Sequence, residues 1–120
     1  MRKDDALVMN IYRMNARRGC LLLIVKGKKP LKILDLLHPL PFVGWIKQLS
    51  MAIDTGADQN CKYDLECLDT AERVLKCRFA KEIVALELCF KQQPRMKWEG
   101  SAREFAAAVD RMIARLPKFF

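Results

Sequence analysis

Histidine is nearly absent from this chain: His38 is the only one in 120 residues. Nucleophilic catalysis by serine or cysteine needs a base to take up the proton. His38 sits in Leu37-His38-Pro39, a strand end running into a proline loop, where a loop or partly buried role is the ordinary one. The five glycines are scattered, so no loop cradles a phosphate, and Lys26-Gly27-Lys28-Lys29 lacks the G-x-x-x-x-G-K frame. Long apolar runs are missing too. Leu21-Leu22-Leu23-Ile24-Val25 is the longest, far short of the roughly 20 residues that span a membrane. The basic N-terminus is followed at once by Asp4 and Asp5 rather than by a signal-peptide core, so a cytoplasmic protein is expected.

Cysteine is present but not in a ligand pattern. Cys20, Cys61, Cys67, Cys77 and Cys89 are odd in number, and none stand at C-x-x-C spacing. With a single histidine they do not make a structural zinc set, and no metal or cofactor is expected. Cys61, Cys67 and Cys77 alternate with charged residues and read as small apolar side chains on the inner face of strands. Asp64 and Glu66, two apart on one strand, read as solvated charge rather than as a catalytic pair. The expectation is a protein that is not an enzyme.

What the chain does have is an uneven field. Residues 1–32 hold nine bases against Asp4 and Asp5, which is +7 of a total of +8; residues 33–120 are nearly balanced. Such asymmetry steers an oppositely charged surface toward one end of the molecule. Arg13, Arg17, Arg18, Lys26, Lys28, Lys29 and Lys32, with Tyr12 beside them, are the candidate partner-binding residues. Three readings compete: solubility only, an acidic protein partner, or phosphate contacts to a nucleic acid. Against the last, Tyr12 is the only aromatic residue before Phe42, and single-strand platforms need rings for stacking.

Composition sets the frame for the fold. At 120 residues, 52% hydrophobic and 30% charged, the chain suits one globular domain, residues 1–120, with its own core. Cys61, Tyr63, Leu65 and Cys67 alternate with Lys62, Asp64 and Glu66, the period of a strand with one wet face. Leu75, Cys77 and Phe79 repeat the pattern. Residues 83–90 are apolar on both faces, and short connections make the three strands an antiparallel meander. A loop between Pro94 and Gly100, containing Trp98, is expected next. Ser101 with Glu104 forms a capping box, and Phe105, Val109, Met112, Ile113 and Leu116 mark one face of a helix that Pro117 stops.

Phe42, Trp45, Ile46, Leu49 and Ile53 share a face of an earlier helix, from about Phe42 to Asp54, with Pro39 and Pro41 ahead of it and Gly56 after it. Residues 20–25 and 31–37 read as strands split by the turn Lys26–Pro30. Residues 6–14 fit a strand or a helix, the strand being preferred. The expected fold is α+β: one antiparallel sheet of five or six strands, in the order β-β-β-α-β-β-β-α, with two helices on one face.

The order of parts over residues 38–116 carries a likeness. Phe42-Val43-Gly44-Trp45-Ile46-Lys47-Gln48-Leu49 opens a helix as F-x-x-W-I-x-x-L; three alternating strands, a proline–tryptophan loop and a helix opening Ser101-Ala102-Arg103-Glu104-Phe105 follow. This resembles small cytoplasmic immunity proteins of bacterial polymorphic toxin systems, the WapI-like group among them. The resemblance implies a non-enzymatic protein that binds a cognate toxin domain and blocks it. It carries over no functional residue. Many such proteins are acidic, so the basic charge here implies a toxin with an acidic face; a nucleic acid is the alternative partner.

Overall fold

Alternation of buried and wet positions builds the first unit. In the computed structural model, which describes residues 6–14 and 19–117, β1 (Leu7–Arg13), β2 (Cys20–Lys26) and β3 (Lys29–Leu36) form an antiparallel sheet in the order β1-β2-β3. The ambiguous first segment is thus a strand, as preferred. The connection 15–18, with Arg17 and Arg18, lies outside the described residues, as do Arg2, Lys3, Asp4 and Asp5. Gly27, at φ 61°, opens the two-residue loop between Lys26 and Lys29, a position where positive φ suits the twist of a hairpin.

The sheet cannot simply run on into the second half of the chain. Asp35 and His38 both adopt left-handed backbone, φ 54° and 53°, and turn the chain into α1 (Pro39–Asp54). Gly19 packs so tightly on the Asp35 backbone that a Cβ there would overlap it. α1 starts three residues earlier than the sequence suggests. Pro39 and Pro41 are tolerated because N–H groups of the first turn have no intrahelical acceptor to lose. Its buried side is Phe42, Val43, Ile46, Leu49, Ser50 and Ile53, while Trp45 is half-buried with its ring 5.2 Å from that of Tyr63.

A second antiparallel sheet follows, β4 (Gln59–Asp64), β5 (Arg73–Ala80), β6 (Ile83–Phe90) and β7 (Gln93–Ser101), paired in sequence order. Two-residue turns at Lys81-Glu82 and Lys91-Gln92 place all four residues at positive φ. The fold is α+β with antiparallel sheets, but with seven described strands in two sheets rather than five or six in one. The stretch expected as a proline–tryptophan loop is the strand β7. Its place at the sheet edge explains why proline is tolerated there: Pro94 needs no outward N–H. Met96 and Trp98 point inward, and Trp98 is among the largest fully buried side chains.

A seam of hydrogen bonds joins the two sheets. Leu36 bridges to Cys67, the Leu37 N–H donates to the Glu66 carbonyl at 2.8 Å, and the Leu68 N–H donates to the Asp35 carbonyl at 3.0 Å. β4 therefore ends at Asp64, short of the expected Cys67, because the chain leaves it to reach β3. The helix α2 (Ala102–Ala114) touches α1, β1, β6 and β7, and α1 touches β4, so the two helices pack against each other and α2 reaches both sheets. Its capping box is complete: the Glu104 N–H donates to Ser101 Oγ and the Ser101 N–H to Glu104 Oε1, both at 3.1 Å. One core cluster joins side chains of both sheets and both helices, including Ile24, Ile46, Leu75 and Phe105.

Candidate functional site

The basic stretch of the sequence is the three-stranded sheet. Residues 6–34 contain seven bases and no acid. Along each strand the side chains alternate between two faces. Leu7, Met9, Ile11, Leu22, Ile24 and Ile33 go to the core and are at most 3% exposed. The other face carries Val8, Asn10 and Tyr12 on β1, Leu21, Leu23 and Val25 on β2, and Pro30, Lys32 and Leu34 on β3.

The register fixes how these align. Val8, Val25 and Pro30 form one row, and Asn10, Leu23 and Lys32 the next; Tyr12 opposes Leu21, with Leu34 further along β3. Val8, Leu21, Leu23 and Val25 are half-buried, whereas Tyr12 and Leu34 are each 45% exposed. Leu68, 52% exposed, is tied beside this end of β3 by its bond to Asp35. Asn10 is the exception in chemistry: it is 6% exposed, and its Oδ1 has no hydrogen-bond partner among the described residues.

The predicted basic residues do not form one cluster. Lys28, Lys29 and Lys32 are exposed at or near the β2–β3 turn. Arg13 is exposed at the opposite end of β1, where its charge lowers the thiol pKa of Cys20 against the larger upward push of burial. The seven residues of β1 separate these ends by roughly 20 Å, more than two Debye lengths at physiological salt. Lys26 leaves the group: it is half-buried and lines a shallow cavity of about 290 Å³ with Lys97, Trp98 and Glu99. Tyr12 lies on the outer face as an apolar member of it.

Val8, Leu21, Leu23, Val25 and Leu34 are absent from the predicted set. A signal for them existed in the run Leu21–Val25, which is apolar at positions of both parities. Such a run reads as a strand buried on both sides, and here one side stays partly exposed.

Other parts of the molecule offer less. His38 and Glu66 approach to 3.8 Å with both side chains largely exposed, which is a loose surface pair. A cavity of about 390 Å³ is lined by Leu37, Asp64 to Cys67, and Thr70 to Arg73. Beside it Arg73 makes a two-pronged contact to Asp69 at 2.7 and 2.8 Å and lies over the Phe90 ring at 5.0 Å. The guanidinium holds the Asp69 carboxyl down to about 2. This ties the loop 69–72 to β5. Four of the five free thiols are buried, and desolvation together with Cys61 pushes Cys77 up to about 12, far from a reactive thiolate. Cys61 and Cys77 stand opposite one another, but the Leu65 N–H to Arg73 carbonyl bond sets the ladder so that they fall at a hydrogen-bonded position, where side chains are farther apart. Among the described residues, no group of three or more histidine, cysteine, aspartate or glutamate side chains could hold a metal.

The architecture defines an α+β protein of two antiparallel sheets and two helices. No protein-family model, curated protein or solved structure matches the chain.

Proposed function

We propose that this chain is a non-enzymatic inhibitory binding protein of the immunity type, which occupies a cognate toxin domain through an acidic face on that domain. The observation that carries this reading is the acid-free stretch of residues 6–34, whose described strands form one sheet with exposed bases at both ends. A field of one sign over a whole sheet speeds encounter with an opposite field and rejects like-charged partners. The helix, antiparallel strands and capped helix over residues 38–116 support the immunity reading, with strand β7 in place of the expected proline–tryptophan loop; the basic charge is what points to an acidic target. The fold holds together through a buried apolar core, which leaves the exposed bases free of a structural task in it.

The test is surface plasmon resonance against the product of the adjacent gene, since immunity genes lie beside their toxins. Wild type is compared with the triple charge reversal Lys28→Glu, Lys29→Glu and Lys32→Glu at two salt concentrations. The variant should associate more slowly at low salt, with the difference shrinking as salt rises. Unchanged association at low salt would refute the reading. Binding to arbitrary duplex DNA, with affinity falling steeply in salt, would replace it with a nucleic-acid-binding one.

A further inference from the structure

We infer that the outer face of the four-stranded sheet holds a binding site for a small phosphomonoester, with its phosphate group seated over Asn60, Lys62, Lys76 and Arg78. The site lies on the other sheet from the bases of the reading above and stands or falls apart from it. Register builds it. Asn60 faces Arg78, and Lys62 faces Lys76, across β4 and β5. All four are exposed and leave the sheet on one side, because residues two apart on a strand point the same way. The Leu65 N–H bond to the Arg73 carbonyl sets the ladder, so both pairs fall at non-hydrogen-bonded positions, where side chains are closest. Their Cβ atoms mark a rectangle of roughly 5 by 7 Å.

Three cations and a carboxamide stand at its corners, with no acid among them. Like charges directly opposed across a sheet destabilise it, and an anion between Lys62 and Lys76 relieves that. Among the described residues, Lys62, Lys76 and Arg78 make no salt bridge. The Glu87 carboxylate, beside Lys76 on β6, is engaged elsewhere: it accepts from the Cys89 thiol at 3.1 Å and pairs with Lys97 at 3.6 Å. Lys76 reaches it only as a coulombic influence.

Charge and extent select the ligand. A tetrahedral anion offers oxygens on several sides, which two ammonium groups, a planar guanidinium and an amide can share. A phosphomonoester carries about −1.5 to −2 at neutral pH, so it offsets more of the three positive charges than a carboxylate or a phosphodiester does. The positive ground is also short. Asp58 and Asp64 bound it along β4, and Glu87 and Glu99 stand toward β6 and β7. A nucleic-acid backbone or an anionic membrane has to lie across those carboxylates, whereas a single phosphate does not. Room for the rest of the ester is present. A cavity of about 410 Å³ runs from Asn60, Lys76 and Arg78 over Ala85 to Lys97 and Glu99. Ala85 is the register partner of both Arg78 and Glu99, and its short side chain lowers the floor between them. That span is two strand spacings, roughly 10 Å. It holds a small organic group, with Glu99 placed to accept from its hydroxyls.

Amide NMR of the intact chain tests this at constant ionic strength, with glycerol 3-phosphate, inorganic phosphate, glutarate and a thymidine dodecamer as probes. Glycerol 3-phosphate should give saturable shifts at Asn60, Lys62, Lys76, Arg78 and Ala85 and bind more tightly than the other three. Lys62→Gln and Arg78→Gln should each weaken it about tenfold. Lys47→Gln, at an exposed base on α1, should leave it unchanged. Lys62→Gln should not lower the thermal midpoint, since it removes a like charge opposite Lys76. Shifts that grow without saturating, or an equal loss in the Lys47 variant, would reduce the effect to charge screening and overturn the site. Tighter inorganic phosphate would overturn the ester and leave the free ion as ligand. Equal or tighter glutarate would overturn phosphate in favour of carboxylate. Tighter dodecamer binding at the same residues would assign the face to nucleic acid instead.

Discussion

Gly100→Ala is expected to destabilise the protein by an amount that depends on Trp98. The indole of Trp98 folds over its own strand onto Gly100, two residues on and on the same face. A Cβ at Gly100 would lie 2.6 Å from Cη2 of the ring, and still closer to Cζ2. Comfortable carbon–carbon contact is about 3.5–4.0 Å, so ring or strand must move by about 1 Å. Trp98 is 1% exposed and walled in by core, so the ring has little room. Overpacking of this kind costs about 1–3 kcal/mol. Gly100 is not at positive φ, so alanine should also relieve the roughly 0.5–1 kcal/mol that glycine costs inside a strand. The net loss is about 1–2 kcal/mol.

With Trp98→Leu the obstruction goes, and the same Gly100→Ala change should stabilise by about 0.5–1 kcal/mol. The double-mutant cycle should therefore show a coupling of roughly 2–3 kcal/mol. Urea unfolding followed by far-UV circular dichroism reads this without depending on indole fluorescence. A midpoint shift of roughly 0.5–1 M is expected for Gly100→Ala alone. Additive behaviour within about 0.5 kcal/mol, or a stabilised single variant, would refute the inward packing of β7.

Three further outcomes are expected. Phe105→Ala and Leu65→Ala, at 0% and 2% exposure, should each cost about 2–5 kcal/mol in chemical denaturation, while exposed Arg103→Ala should stay within about 0.5 kcal/mol. Gly44→Ala should stabilise α1 by about 0.5–1 kcal/mol in the same assay, because the glycine is exposed in a helix interior and a Cβ there meets nothing within 4 Å. Asp69→Asn should flatten the acid limb of stability. A carboxyl held down to about 2 by Arg73 favours the folded state above the unfolded pKa of about 3.9 and ceases to do so as pH falls through 2. The stability gap between wild type and variant should be constant above about pH 5 and close toward pH 2; a gap that widens on acidification would remove the Arg73–Asp69 contact from the account.

Local chemistry made much of this protein legible from its residues in order. The capping box of Ser101 and Glu104 needs only four residues and forms wherever they are helical, so α2 was readable to within a residue or two of its ends. The alternation in Cys61–Asp64 and Val74–Phe79 reports a sheet face directly, because side-chain direction reverses at every residue. The concentration of charge in the first quarter is likewise a property of the chain. Other features depend on contacts between distant segments. Pro94 and Trp98 look like loop residues until β7 is known to be an edge strand, where a missing N–H is harmless and Met96 and Trp98 can turn inward. Arg13 and Lys28 belong to one basic stretch of the chain, yet folding sets them at opposite ends of a sheet, and Lys26 is drawn toward Trp98 and Glu99. The apolar run Leu21–Val25 was readable as a strand. Only the tertiary packing decided which of its faces would be covered and which would remain open, because a strand's own sequence sets what each face is made of but not what lies against it.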